Sequence, residues 1–299
     1  MSKIIVIGSS NTDMVIKTNK FPVPGETILG GAFFMFSGGK GANQAVAAAR
    51  MGAGVMLICK TGDDIFGQRS IDEFKKEGIN TKYIQKDTDK ASGTALILVD
   101  EKGENEIVVA SGANETLTRI EIDAAEEAIA DAAIILLQLE IPVETVLYAA
   151  KIGYELKRKV ILNPAPAQSL PAELFSYLYL VTPNETEAEI LTGVKVNDVA
   201  SASKAADVLL KAGVQNVIIT LGAQGAFFKN DKNEFIVAAP VVKAVDTTAA
   251  GDVFNGVLAV EITSGANWQS AISTACKAAS FSVTRMGAQV SMPYRKEIE

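Results

Sequence analysis

From Asp246 to Gly256 the chain reads Asp-Thr-Thr-Ala-Ala-Gly-Asp-Val-Phe-Asn-Gly, residue types suited to passing an anionic group to an alcohol. A β-prone stretch over 235–245 is expected to end at Asp246, and an apolar-periodic helix to run over roughly 252–264. The N–H groups of Ala250, Gly251 and Asp252 then leave a helix N-terminus without intrahelical partners, carrying the positive end of the helix dipole. Anions are stabilised at such a place, and the small side chains of Ala249, Ala250 and Gly251 let a phosphoryl group approach the backbone. A carboxylate there is out of keeping unless it faces a hydroxyl that must lose its proton. An anion hole beside a carboxylate base is what phosphoryl transfer to an alcohol requires. Asp is also a favoured cap, so this segment alone leaves Asp252 as either base or cap.

A second segment, Ser37-Gly38-Gly39-Lys40-Gly41 followed by Ala42, Asn43 and Gln44, feeds an alanine-rich helix through glycines that permit close approach of a ligand. Two phosphate-cradling patterns fail there: Gly41 follows Lys40 where a P-loop needs Ser or Thr, and Gln44 stands where GxGxxG needs glycine. What remains is one cation and one amide, a pair suited to a polyol. Asn11 and Asp13 lie two apart and share a face if extended, where amide and carboxylate can meet vicinal hydroxyls; an Asx turn competes for either alone. Glu140 closes a buried-type strand, in ligand position for an α/β sheet. Asn184 and Glu187 have the spacing of a capping box, or of a magnesium–phosphate pair acting through water. The turn Thr220, Leu221, Gly222, Ala223, Gln224, Gly225 either supports a nucleotide or is only a hairpin.

There is no histidine, which excludes Ser-His-Asp and Cys-His nucleophilic sites and histidine-based zinc sites. Acid–base work falls to carboxylates, lysine, tyrosine or thiols. The net charge of −7 argues against a nucleic-acid or anionic-membrane partner, so any phosphate site must be made locally. Cys59 and Cys276 are far apart in apolar contexts, as for buried thiols in a reducing compartment, and no apolar run approaches a membrane span; a cytoplasmic protein is expected.

These residues need a scaffold. Apolar strand runs at 3–8, 55–60, 133–139, 160–163, 178–182, 217–221 and 225–229 alternate with helical patterns at 40–51, 64–77, 119–131, 143–157, 185–192, 200–212 and 268–284. Continuous apolar strands between helices predict an α/β fold with a doubly wound, mostly parallel sheet. Strand-rich insertions at about 12–37 and 92–112, with strand patterns over 27–36 and 94–110, break the alternation and predict a small β-sheet lid on one domain spanning 1–299; extra edge strands of the main sheet are the alternative.

Taken together, the segment Gly38-Gly39-Lys40-Gly41-Ala42-Asn43, with Gly52 and Gly62 downstream, and the segment 246–256 resemble the two signatures of the ribokinase-type (PfkB) carbohydrate kinases, in matching order over essentially the whole chain. The resemblance implies ATP-dependent phosphorylation of D-ribose at its 5-hydroxyl. It implies a sugar pocket of Asn11, Asp13, Gly39, Lys40, Asn43 and Glu140, with Asp252 as base and Ala249, Ala250, Gly251 and Asp252 as the anion hole. Asn184, Glu187 and the turn from Thr220 to Gly225 would serve ATP and its Mg2+. An activating K+ would sit on Asp246, Thr248, Ser282, Arg285, Gly287 and Ser291, mostly through carbonyls, and the lid would pair two chains into a homodimer. Val253 departs from the threonine common at its position, and Cys276 receives no role. Another sugar or nucleoside as acceptor, a sugar-binding regulator without catalysis, and a dinucleotide oxidoreductase are the rival readings; the last lacks GxGxxG after Gly8.

Overall fold

The computed structural model describes residues 3–299. Its first strand, β1 (Lys3–Ile7), is apolar from Ile4 to Ile7 because both faces are covered: Ile4 and Val6 pack in one core, Ile5 and Ile7 in the other. The chain then leaves this sheet through β2 (Asn11–Lys17) and β3 (Ala32–Gly38) and returns at α1 (Lys40–Arg50), whose small residues lie against β1 and β4 (Gly54–Gly62). Next come α2 (Ile65–Lys76), capped by Asp64, and β5 (Ile84–Asp87), an edge strand too polar to show in the sequence pattern. A second excursion gives β6 (Gly93–Val99) and β7 (Asn105–Ala110).

Helices and strands alternate from there: α3 (Arg119–Ala124), α4 (Glu126–Ala130), β8 (Ile134–Leu137), α5 (Val143–Glu155), β9 (Lys159–Leu162), α6 (Ala172–Ser176), β10 (Leu180–Val181), α7 (Glu185–Thr192), α8 (Val199–Lys211) and β11 (Asn216–Thr220). The antiparallel β12 (Ala226–Asn230) and β13 (Glu234–Val237) precede α9 (Ala250–Thr263), α10 (Trp268–Ser282) and α11 (Arg295–Ile298). The nine-stranded sheet has the order β13-β12-β11-β10-β9-β8-β1-β4-β5, parallel from β11 to β5. The four excursion strands form a separate sheet, β3-β2-β6-β7, and are not edge strands of the main one. Among the described residues no helix is long and apolar enough to cross a membrane.

Three departures from the sequence expectation go beyond two residues at an element's end. The strand expected over 235–245 ends at Val237, because Pro240 lacks an N–H and fixes its backbone, and the segment 238–249 is irregular. The strand expected from 27 begins at Ala32, after Gly30 and Gly31 at φ 101°. The helix expected over 119–131 breaks at Ala125, whose N–H bonds back three residues to Ile122.

Candidate active site

Helix α9 begins at Ala250, two residues before the expected start, and Asp252 lies inside its first turn. The N-cap is Ala249, in the left-handed region at φ 61°, and it makes no side-chain cap. Asp252 therefore does not cap this helix. Its carboxylate is 5% exposed and turned to α1, accepting Asn43 Nδ2 at 2.9 Å on one oxygen and Gln44 Nε2 at 3.0 Å on the other. Burial pushes its pKa up, and Glu140 adds to that; Lys40 and the two amides pull it down. The N–H groups expected to be free are two rather than three: Ala250 donates to the Thr247 carbonyl at 3.3 Å, while among the described residues no backbone acceptor meets Gly251 or Asp252.

Around Asp252 lie the residues expected to hold a sugar. Glu140 lies three residues beyond β8 rather than closing it, and accepts Ser9 Oγ at 2.6 Å and the backbone N–H of Lys40 at 2.9 Å, binding the loop after β8 to the start of α1. Asn11 is the first residue of β2, and its Oδ1 accepts Asn114 Nδ2 at 2.7 Å, which turns its own NH2 away as a donor. Asp13, two residues on and on the same face, lies over Gly38, where a Cβ would fall 2.2 Å from Oδ2. Burial, then Glu140 and Asp252, raise the Asp13 carboxyl from 3.8 to about 7 against the pull of Lys40. Lys40 stays charged: burial opposes the charge, but Asp252, Glu140, Glu187 and Asp13 outweigh it and raise its pKa. Gly39, at φ 86°, leaves no room for a side chain, since a Cβ would sit 2.7 Å from the Asn11 nitrogen.

Two cavities are lined by these residues. A cavity of about 520 Å³ is lined by Lys40, Asn184, Glu187, Thr220, Gly222, Ala223, Gly225, Ala249, Ala250, Gly251 and Asp252. Its apolar wall comes from the irregular segment (Ala239, Pro240, Val241, Val242) and from α10, including Cys276. Leu221 and Gln224 do not line it: the 3-10 turn Gly222–Gln224 buries Leu221 and turns Gln224 outward. Asn184 and Glu187 form a complete capping box, yet Glu187 is 9% exposed on the cavity wall and, among the described residues, has one oxygen committed, to the Asn184 N–H at 2.9 Å. Burial raises the Glu187 pKa, as for a carboxylate awaiting a cation. A second cavity, about 330 Å³, is lined by Asn11, Asn114, Leu139, Glu140, Pro142 and Gln168 among others. Its Glu140 accepts the N–H of Lys40, which lines the first.

Behind α9 the Asp246 carboxylate accepts the Thr248 N–H at 2.9 Å and the Gly287 N–H at 2.8 Å, stapling the two ends of the α9–α10 pair. Burial opposes its charge, but the donors from Thr248 and Gly287 win and hold its pKa below the usual range. Ser282 and Ser291 give their hydroxyls to the carbonyls of Ala279 and Ala288, and the Arg285 guanidinium pairs with Glu297. No described donor reaches the carbonyls of Thr248, Arg285 and Gly287. One carboxylate beside such carbonyls fits a large, weakly hydrated cation better than magnesium.

Sequence reading missed the polar layer under this site. Gln44, Gln138, Asn163, Thr182 and Asn255 are all buried and hydrogen-bonded in a chain from β8 to α9. The signal was present: Gln138, Asn163 and Thr182 are each a polar residue close behind an apolar parallel strand.

Residues 1–295 match the pfkB family carbohydrate kinases. A ribokinase of Haemophilus influenzae is 46% identical over 294 residues, covering 98% of this chain and 96% of that protein. A deoxyribokinase of Salmonella typhi is 41% identical over 291 residues, covering 97% and 95%. The structure of Arabidopsis thaliana ribokinase complexed with ribose and ATP superposes with a TM-score of 0.95 at 30% identity, covering 100% of this chain and 98% of that one. With a family match across nearly its whole length and relatives this similar at full length, the chain belongs to the pfkB family of carbohydrate kinases.

Proposed function

We propose that the chain phosphorylates D-ribose at the 5-hydroxyl with ATP, releasing D-ribose 5-phosphate and ADP. One observation carries this reading: a buried carboxylate, Asp252, lies on the wall of the larger cavity beside two N–H groups at the positive end of α9 that meet no acceptor among the described residues. Asp252 takes the proton of the attacking hydroxyl. The N–H groups of Gly251 and Asp252 meet the charge that develops on the phosphoryl oxygens. Asn11 donates to the sugar, Asp13 and Glu140 accept from it, Asn43 and Gly39 shape the floor, and Lys40 balances the four carboxylates around it, Asp252, Glu140, Glu187 and Asp13. In the larger cavity Thr220, Gly222, Ala223 and Gly225 face the nucleotide. ATP carries Mg2+, which would be held through Glu187 and Asn184 and supplies charge neutralisation between the phosphates. A potassium ion on Asp246 and the carbonyls of Thr248, Arg285 and Gly287 would supply a fixed charge behind the anion hole.

We read the small sheet as a lid on a single domain and as the surface that joins two chains. Ile16, Phe33, Leu96 and Val108 share the face opposite Asp13 and are exposed by 41%, 61%, 55% and 69%, an apolar area that suits self-association. The free, buried thiols of Cys59 and Cys276 suit a reducing cytoplasm; burial pushes them up to about 12 and about 11. A coupled assay of ADP release with ribose, 2-deoxyribose, fructose and adenosine tests the proposal. Ribose should give the highest kcat/KM; a higher value for any other acceptor, or no release with ribose, refutes it.

A further inference from the structure

Asp252 can only accept hydrogen bonds while it is charged, and this fixes the direction of every amide behind it. Gln44 must present Nε2 to Asp252, and the same nitrogen also reaches Asn163 Oδ1 at 3.0 Å. The Gln44 oxygen is thereby turned toward Gln138, which answers with its own Nε2 at 2.7 Å. If the Gln138 amide were reversed, two oxygens would face each other at that distance. The chain of donors ends on Gln138 Oε1, which is buried without a partner among the described residues and lies where a Cβ on Gly8 would approach to 2.1 Å. The fixed point is Asn163, whose Nδ2 donates to the Thr182 backbone carbonyl at 3.4 Å, so that its Oδ1 must face Gln44 and keep the Gln44 donor at the Asp252 end.

We propose that Gln44 and Gln138 are positioning residues for the phosphoryl transfer: Gln138 locks the Gln44 amide so that its N–H holds one Asp252 oxygen, leaving Asp252 oriented as a proton acceptor. The proposal rests on the reading of Asp252 as the base. Asn43 holds the other oxygen, so protonating either oxygen along these directions breaks a hydrogen bond. The charged groups that bear on Asp252 are Lys40 from α1, Glu140 from the loop after β8, Asp13 from β2 and Glu187 from α7. Of these only Lys40 favours the ionised form, so the two amides carry much of the remaining support.

Three near-isosteric variants test this, read by the pH dependence of kcat and of kcat/KM for ribose, with KM for both substrates. Gln44→Met should lower kcat about 10- to 100-fold at pH 7 and move the acidic limb up by about one pH unit, with both KM values within about threefold. Gln138→Met, which leaves Gln44 in place, should shift both in the same direction by less. Gln138→Glu places an acceptor where a donor is needed; once ionised it turns the Gln44 oxygen toward Asp252, so its loss should exceed that of Gln138→Met and grow with pH. Should Gln44→Met fail to fold, the two Gln138 variants decide alone. Equal losses in Gln138→Met and Gln138→Glu, or profiles that superimpose on the parent, would overturn the relay and leave plain packing. A parent inactive on every sugar would instead overturn the reading of Asp252 as base, and the relay with it.

Discussion

Replacing Asp13 by asparagine should make the protein more stable and much worse at holding its sugar, and the balance should depend on pH in a way that a lost contact would not. Burial and the neighbouring Glu140 and Asp252 hold the Asp13 carboxyl at about 7 in the folded chain, against 3.8 ordinarily. Below 3.8 both folded and unfolded chains carry the proton and Asp13 has no effect on stability. Between 3.8 and about 7 the unfolded chain ionises while the folded one does not, so stability falls as pH rises; above about 7 the loss is complete. At about 1.4 kcal/mol per pH unit this displacement is worth about 2–4 kcal/mol, the lower figure if Lys40 and solvent relax around the charge. For a chain of this size Asp13→Asn should raise the Tm by about 4–8 °C at pH 8, and by about a third of that at pH 5. Thermal unfolding at the two pH values, followed by circular dichroism, reads this directly. The same variant should raise the ribose KM by about two orders of magnitude while leaving the ATP KM nearly unchanged. A Tm gain equal at both pH values, or a Tm loss at pH 8, would refute the electrostatic account of this pocket.

Asp252→Asn should keep both substrates bound, as seen by calorimetry, and cut kcat by about two to four orders of magnitude; turnover like the parent's would leave Asp252 without a catalytic role. Potassium should raise activity more than sodium at equal ionic strength, and Asp246→Asn should erase the difference while the sugar KM holds; identical rates in both salts would remove the cation from the mechanism. Sedimentation should find the parent dimeric and a Leu96→Lys, Val108→Lys double variant monomeric; a monomeric parent would refute pairing through the small sheet.

Much of this molecule was legible because its signals are local. The apolar run of β1, the alanine-rich face of α1 and the Asn184–Glu187 capping box each lie within a few residues of sequence. The chemistry of Asp252 was legible from its company of small residues, but its partners were not, since Gln44 and Asn43 stand 208 and 209 residues away. Only the crossing of α1 and α9 brings them together. The engaged N–H of Ala250 also escaped notice, because the left-handed turn at Ala249 that allows it leaves no mark on an alanine. Leu221 and Gln224 were swept into the nucleotide turn with their neighbours, although a tight 3-10 turn sends its side chains in different directions.

The small sheet has one geometric property with mechanical consequences. Its strands β2, β3 and β6 all touch at their base, where Asn11 is in register with both Gly38 and Gly93, and the polar residues aimed at the site lie within two positions of that base. The other end of the same three strands, Lys17 beside Ala32 and Val99, is six residues away, about 20 Å along the strands. Any tilt about the base therefore moves Asn11 and Asp13 through a short arc and the tip through a long one. The sheet has the proportions of a lever with its short arm in the pocket: Asp13 stands about 7 Å from the base and the tip about 20 Å, so a tilt that shifts Asp13 would shift the outer rim about three times as far.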